Sequence, residues 1–221
     1  MRVANLANVA GWSELREDLR RISEETPEAL LGYPDPSSDR PEEEPFSIHF
    51  ASWADDIAAT LHEKYGAVVD LEVGAMPFPG QDFVPGPLLT LPETPADSLG
   101  LSVQPMTSLS VRTGRSAMPR VRVVNHSAEK KVLGTNGQLQ SAVVDDAGAV
   151  VGRYVGAQNL PFVGFAVEAG RGTEVPVLVG TDSVVPRLGY AVPPGQWHLV
   201  VLLDVDRERT VSAPLPLTVT P

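Results

Sequence analysis

The sequence predicts an α+β chain: a small N-terminal α/β module of helices and one βαβ unit, then an all-β, immunoglobulin-like sandwich. Three observations predict it. The N-terminal part carries apolar residues at helical spacing. A strand–helix–strand pattern follows between about residues 46 and 73. From residue 104 onward the chain breaks into short alternating stretches separated by turn residues. The expected division is an acidic module over 1–80, a Pro-rich linker over 81–103 and the sandwich over 104–221.

Leu15, Leu19 and Ile22 follow i, i+4, i+7 spacing behind Ser13 as a cap, which predicts the first helix. Thr26-Pro27-Glu28 predicts a second short helix with proline at its first position, ended by Gly32. Tyr33 to Pro45 reads as a polar loop containing Glu42-Glu43-Glu44. Phe46, Ile48 and Phe50 alternate with Ser47 and His49, as in a half-buried strand. Ser52 and Asp55 have the spacing of a capping box, and Ile57, Ala58, Leu61 and Tyr65 line one helical face closed by Gly66. Val69, Leu71 and Val73 form the next strand, and the helical connection predicts parallel pairing with a right-handed crossover. Residues 76–98 hold six prolines and two glycines, an extended linker that could drape over one domain.

Seven candidate strands follow: Met106–Arg112, Arg120–Asn125, Gln138–Asp145, Val150–Tyr154, Thr173–Val179, Trp197–Val205 and Thr210–Val219. Trp197, Leu199, Val201, Leu203 and Val205 share one face. Pro214 and Pro216 each remove a ladder donor, which predicts an edge position or irregular pairing for the last strand.

Composition narrows the function. The net charge is −11, and residues 1–80 hold 6 Lys and Arg against 16 Asp and Glu, so nearly all of it lies there. Such a chain repels phosphate backbones, so nucleic acid is not the expected partner. No apolar run approaches the roughly 18 residues that span a bilayer. No cysteine is present, which removes disulfides, thiol nucleophiles and thiolate metal sites. Together with the absence of an apolar segment at the start, this predicts a cytoplasmic protein. The excess of arginine over lysine points to GC-rich bacterial coding.

The chain carries no nucleophile elbow, P-loop or dinucleotide fingerprint. His49, His62, His126 and His198 lack metal-ligand spacing. Asp145-Asp146 and Asp204-x-Asp206 fall where hairpins turn, and at most offer a weak calcium site. Trp53 and Trp197 read as core anchors, whereas Trp12 and Tyr33 flank the first helical segment as parts of an exposed contact patch. No catalytic, cofactor-binding or metal-ligating residue is assigned, and no cofactor is expected.

Four short motifs recur in order over about 80 residues: Asn125-His126-Ser127, Asn136-Gly137-Gln138, Asp145-Asp146-Ala147-Gly148 and Pro193-Pro194-Gly195-Gln196-Trp197. In these the second half resembles the bacterial intracellular proteinase inhibitor (BsuPI-type) domains. The resemblance implies an immunoglobulin-like sandwich. Where that family has a tryptophan-rich segment, this chain has Gly152-Arg153-Tyr154.

The leading expectation is a non-catalytic, cytoplasmic protein-binding or structural accessory protein acting through its β-sandwich and acidic N-terminal module. Its partner has a basic surface and meets Glu42, Glu43, Glu44, Trp12 and Tyr33 on the acidic module. The alternatives are a proteinase inhibitor using Gly156–Phe162 or Thr181–Pro193 as a substrate-like loop, and an enzyme with a site around His49 in the first module. If the acidic run steers the partner, replacing Glu42, Glu43 and Glu44 by glutamine leaves the fold intact. Association is then slower and less salt-dependent, measured by binding kinetics at two ionic strengths.

Overall fold

In the computed structural model the described residues are 9–33, 46–78, 90–156, 158, 161–206 and 208–221. The chain divides into two compact units, Met1–Val84 and Pro85–Pro221. Strand dominates, and two α-helices occur among the described residues.

The first unit contains helices α1 (Val9–Glu25) and α2 (Asp55–Tyr65), and strands β1 (Leu30–Gly32), β2 (Phe46–Phe50), β3 (Val69–Val73) and β4 (Met76–Phe78). The sheet order is β1-β2-β3-β4. β2 and β3 run parallel, as their helical connection requires, and both flanking pairs are antiparallel. The alternation in β2 and β3 buries Phe46, Ile48, Phe50, Val69, Leu71 and Val73, while Leu15, Leu19 and Leu61 supply the buried positions of the helices.

Two local expectations are corrected here. The segment after Thr26 is not a helix. A turn closed by Ala29 N–H donating to the Thr26 carbonyl delivers Leu30 into register with Phe50 as strand β1. Sheet pairing at that point outweighs the helix-start signal of Pro27. Nor is Ser52 a cap: α2 starts at Asp55 after Ala54, without a side-chain cap, and the buried Ser52 hydroxyl has no hydrogen-bond partner.

One polar group inside this unit was not foreseen. Asp18 lies on the inner face of α1, 7% exposed. Its carboxylate accepts from Lys64 Nζ at 2.6 Å and Tyr65 Oη at 2.7 Å on α2, and from Arg21 at 2.8 Å. Burial opposes the charge of Asp18, but the bonds from Lys64 and Tyr65 outweigh it and hold the carboxyl below its usual range. Tyr65 is pushed up to about 12, first by burial and then by the Asp18 carboxylate.

The second unit is a sandwich. Its strands are β5 (Leu101–Pro105), β6 (Leu109–Arg112), β7 (Ser116–Ala117), β8 (Arg120–Asn125), β9 (Lys131–Thr135), β10 (Gln140–Val144), β11 (Val150–Arg153), β12 (Val163–Val167), β13 (Gly172–Pro176), β14 (Val179–Gly180), β15 (Asp182–Ser183), β16 (Gly195–Val205), β17 (Glu208–Val211) and β18 (Leu215–Thr220). The smaller sheet has the order β13-β8-β5. The larger is organised on β16, which pairs with β10 and β9 on one side and with β18 and β17 on the other. β11 extends it beyond β10, β12 extends it beyond β9, and β6 joins β18 in parallel. Between the sheets Leu101, Val121, Val123 and Val175 meet Val111, Leu133, Val143, Leu199, Val201 and Leu203 in one core. A three-stranded sheet facing one whose central strand is flanked by the last and an early strand is the immunoglobulin-like arrangement.

The sandwich begins before residue 104. Leu101 is buried in the core and β5 pairs with β8 from Leu101 to Pro105, so these residues belong to the sandwich and not to a linker. Residues 90–95 also belong to it. Val211 N–H and Thr210 Oγ1 both donate to the Thr94 carbonyl, and Leu91 packs on Ala142, Val144 and Val200 on the outer face of the larger sheet.

The last predicted strand is two. β17 ends at Val211, and at Ser212 the side chain takes over: Ser212 Oγ accepts from Val201 N–H while Ser212 N–H donates to the Val201 carbonyl. Pro214 occupies the break. β18 is not an edge, because β6 covers its other side from Leu217 onward, just past Pro216. The missing N–H of Pro216 therefore falls outside that ladder.

Asn125 locks the two sheets at one end. It is fully buried at the close of β8; its Nδ2 donates to the carbonyls of Glu129 (2.7 Å) and Val167 (3.0 Å), and its Oδ1 accepts from Ser127 N–H and Oγ. Asn125-His126-Ser127 is thus a turn built around a saturated buried amide.

Two substitutions test these polar anchors. Asn125→Ala removes four hydrogen bonds, leaving the Val167 carbonyl and the Ser127 N–H without this partner while Ser127 Oγ still reaches the Glu129 carbonyl, and is expected to lower unfolding free energy by about 2–4 kcal/mol, read by urea denaturation. The depressed pKa of Asp18 contributes stability above the unfolded carboxylate value of about 3.9, and this is lost as pH falls through the lower folded value. Asp18→Asn should therefore lower the melting temperature at pH 7, and the gap to wild type should narrow in scans taken toward pH 2.

Candidate partner-binding cleft

The turns of the sandwich follow their sequence chemistry. Asp145 Oδ1 accepts from the N–H groups of Ala147 and Ala149, closing the β10–β11 hairpin with Gly148 at φ 79°. Asp146 points to solvent, 3.6 Å from His198. Asp204 is ion-paired with Arg209 at 2.9 Å, and Asp206 reaches Lys131 at 3.6 Å. No cluster of three metal-ligating side chains occurs among the described residues. The histidines stand apart: His49 bonds the Gly74 carbonyl, His62 packs edge-on to Phe78, His126 bonds Ser102, and His198 faces Asp146.

The predicted contact residues have different fates. Tyr33 is 42% exposed. Trp12 belongs to α1, with its side chain outside the described part, and Glu42, Glu43 and Glu44 lie outside the described residues altogether. Trp197 leans on the main core and donates its indole N–H to the Pro193 carbonyl, in keeping with its reading as an anchor. Of the two candidate loops, Thr181–Pro193 is tied down: Thr181, Asp182, Ser183 and Val184 are buried, and its ends bond each other through Val192 N–H and the Thr181 carbonyl.

Of the other loop, Gly156–Phe162, residues 157, 159 and 160 lie outside the described residues; its Gln158 and Phe162 line a cleft of about 630 Å³ on the outer face of the larger sheet. Gln140, Leu202, Asp204 and Arg209 line it from the sheet, and Arg153, Tyr154, Gln158 and Phe162 from β11 and the loop. Two close approaches shape it. A Cβ at Gly180 would collide with the Tyr154 backbone, so only glycine lets the loop leave the sheet there. A Cβ at Gly134 would come within 3.1 Å of the Phe162 ring, so glycine makes a seat for that ring. Gln158 is held by amides: it and Gln140 exchange hydrogen bonds at 2.6 and 3.2 Å, and Asn136 adds a third at 3.0 Å.

Two side chains stand out. Phe162 is 81% exposed, and beside it Val132, 40% exposed, and the exposed Ala166 continue the same face. Arg153 sits opposite Ala142 on the sheet's outer side. Its Nε is closed off from solvent with no hydrogen-bond partner, a defect worth about 1–3 kcal/mol in a folded chain. Sequence reading singled out the loop but not Arg153; its position in place of an aromatic segment was the available signal.

No protein-family model matches the chain, and no curated protein matches it. These comparisons do not show the likeness to the proteinase inhibitor domains. Distant likenesses among solved structures include the sporulation control protein Spo0M from Bacillus subtilis, with 10% identity and a TM-score of 0.28 over 55% of this chain and 50% of that one. Others are the CssB subunit of Escherichia coli colonization factor CS6 complemented with a CssA donor strand (17%, TM-score 0.27, 56% and 99% covered) and a PapD-like domain of human CEP192 (13%, 0.24, 60% and 89%). The chain spans half the length of the Spo0M protein. No helix among the described residues is long and apolar enough to cross a membrane.

Because the Phe162 ring is mostly solvated, Phe162→Ser is expected to change the melting temperature by less than about 2 °C, measured by calorimetry.

Proposed function

We propose that this chain is a non-catalytic protein-binding protein whose partner docks on the outer face of the larger sheet, at the cleft beside Phe162. The observation that carries it is the exposed Phe162 ring, seated over Gly134 at a cleft that Gln158, bonded to Gln140, also lines. Covering such a ring contributes about 2–3 kcal/mol, and fixing the loop in advance lowers the ordering cost of association. A cytoplasmic setting, suggested by the lack of cysteine, belongs to this proposal. So does the role of the acidic first 80 residues, including Glu42, Glu43 and Glu44, in steering a basic surface of the partner from a distance.

The same loop favours a second reading, a proteinase inhibitor of the kind the sequence resemblance implies. A braced loop with a protruding aromatic suits a protease that cuts after aromatic residues. Inhibition of a chymotrypsin-like protease by the chain, lost in Phe162→Gly, would select it. The enzyme reading around His49 has less support, since that imidazole is engaged by a backbone carbonyl at 2.6 Å.

A photo-crosslinking residue placed at 162, and in a second variant at the exposed Glu174 on the opposite sheet, tests the docking face in cell extract. A discrete adduct from position 162 and none from 174 is expected. Adducts only from 174, or from neither, would overturn the assignment.

A further inference from the structure

We propose that the cleft recognises a carboxylate, the acidic side chain of an extended partner segment, through the guanidinium of Arg153; this rests on the docking face described above.

Three charged side chains line the cleft. Asp204 and Arg209 neutralise each other at 2.9 Å. Arg153 has no carboxylate within ion-pair distance among the described residues; its Nε is closed off from solvent without a partner, so a docking carboxylate would meet the Nη end of the guanidinium. Among the described lining residues Arg153 is therefore the one charge without an ion pair. That charge matches one carboxylate; among the described lining residues no second unpaired cation stands beside it to hold a doubly charged phosphate. A guanidinium is also the group that pairs with a carboxylate through two parallel N–H bonds.

The surroundings suit a side chain on a peptide better than a free ion. Opposite Arg153 on β10 stands Ala142, too small to block its approach, and two residues away Gln140 presents an amide already held by Gln158. Leu202 and Phe162 offer apolar surface to the methylenes of the segment and to a neighbouring apolar residue. The preference is local: a chain of net charge −11 does not attract acidic peptides at long range, so the selectivity must come from contact inside the cleft.

The test is a side-chain NMR titration following the Arg153 Nε–H and the Gln140 and Gln158 amides. The probes are acetyl-Val-Glu-Val-amide, its glutamine counterpart, and succinate. The glutamate peptide should shift these signals saturably and bind at least tenfold tighter than the glutamine peptide. That preference should vanish in Arg153→Met and Arg153→Gln, both checked for native circular dichroism, and persist in Glu174→Gln. Equal binding of the two peptides, an unchanged preference in the Arg153 variants, or no saturable shift with any probe would overturn the proposal. Binding of succinate alone would overturn its peptide form. If the crosslink from position 162 survives in Arg153→Met, the docking face stands while its carboxylate pocket falls.

Discussion

The second unit depends on one strand. β16 runs eleven residues, Gly195–Val205, with Leu199, Val201, Leu203 and Val205 all turned into the core. It is longer than any of its neighbours, so each edge must be satisfied by two partners in succession. On one edge β18 pairs with Gly195–Leu199 and β17 with Leu202–Val205; on the other β10 pairs with His198–Leu202 and β9 with Asp204–Val205. Both changes of partner need a local device. On the first edge Ser212 supplies ladder bonds from its side chain and backbone at Val201. On the second the chain turns through Asn136-Gly137, with Gly137 at φ 96°.

That second break creates the cleft. Where β10 gives way to β9, the sheet offers no continuous wall, and Tyr154, Gln158 and Phe162 line the gap, Gln158 fastened to Gln140. The remaining outer face is closed in another way: Leu91 covers Ala142, Val144 and Val200, and Thr94 bonds Thr210 and Val211. One half of the outer face is thus covered by the chain itself, while the other half retains an exposed aromatic and an arginine whose Nε has no hydrogen-bond partner. The contrast with Asn125, whose buried amide is saturated, sets Arg153 apart from the structural polar groups.

In the first unit the helices are joined by charge as well as by packing. Asp18 gathers Lys64, Tyr65 and Arg21 at the contact between α1 and α2. Asp18 is the buried member; Lys64 and Arg21 keep 41% and 60% of their side chains exposed and Lys64 also pairs with Glu14, so the group's contribution rests on keeping the Asp18 charge matched. On the solvated side of α1, Arg20 bridges Glu17 and Glu24 in full view of water, and exposed pairs of this kind contribute little.

Period-2 and helical patterns, with turn residues at fixed offsets, were enough to find the βαβ pattern, β8, β10, β11, β16 and the Asp145–Gly148 turn. These depend on neighbours close in sequence. The same reading missed β5, β9 and β12 and took Thr26–Gly32 for a helix, because short strands are stabilised by partners far along the chain: Leu101 by Asn125, Leu133 by Phe165, Leu30 by Phe50. The loop from Gly156 to Phe162 could be picked out from its composition. Its setting could not, since the cleft joins Gln140, Arg153, Gln158 and Leu202 from separate strands and a loop. Net charge and the lack of cysteine were properties of the sequence by itself. Whether a given arginine or aspartate is paired or left open, as Asp18 and Arg153 show in opposite senses, was decided only by tertiary structure, because a charge's partner is fixed by distance in space and not by spacing in the chain.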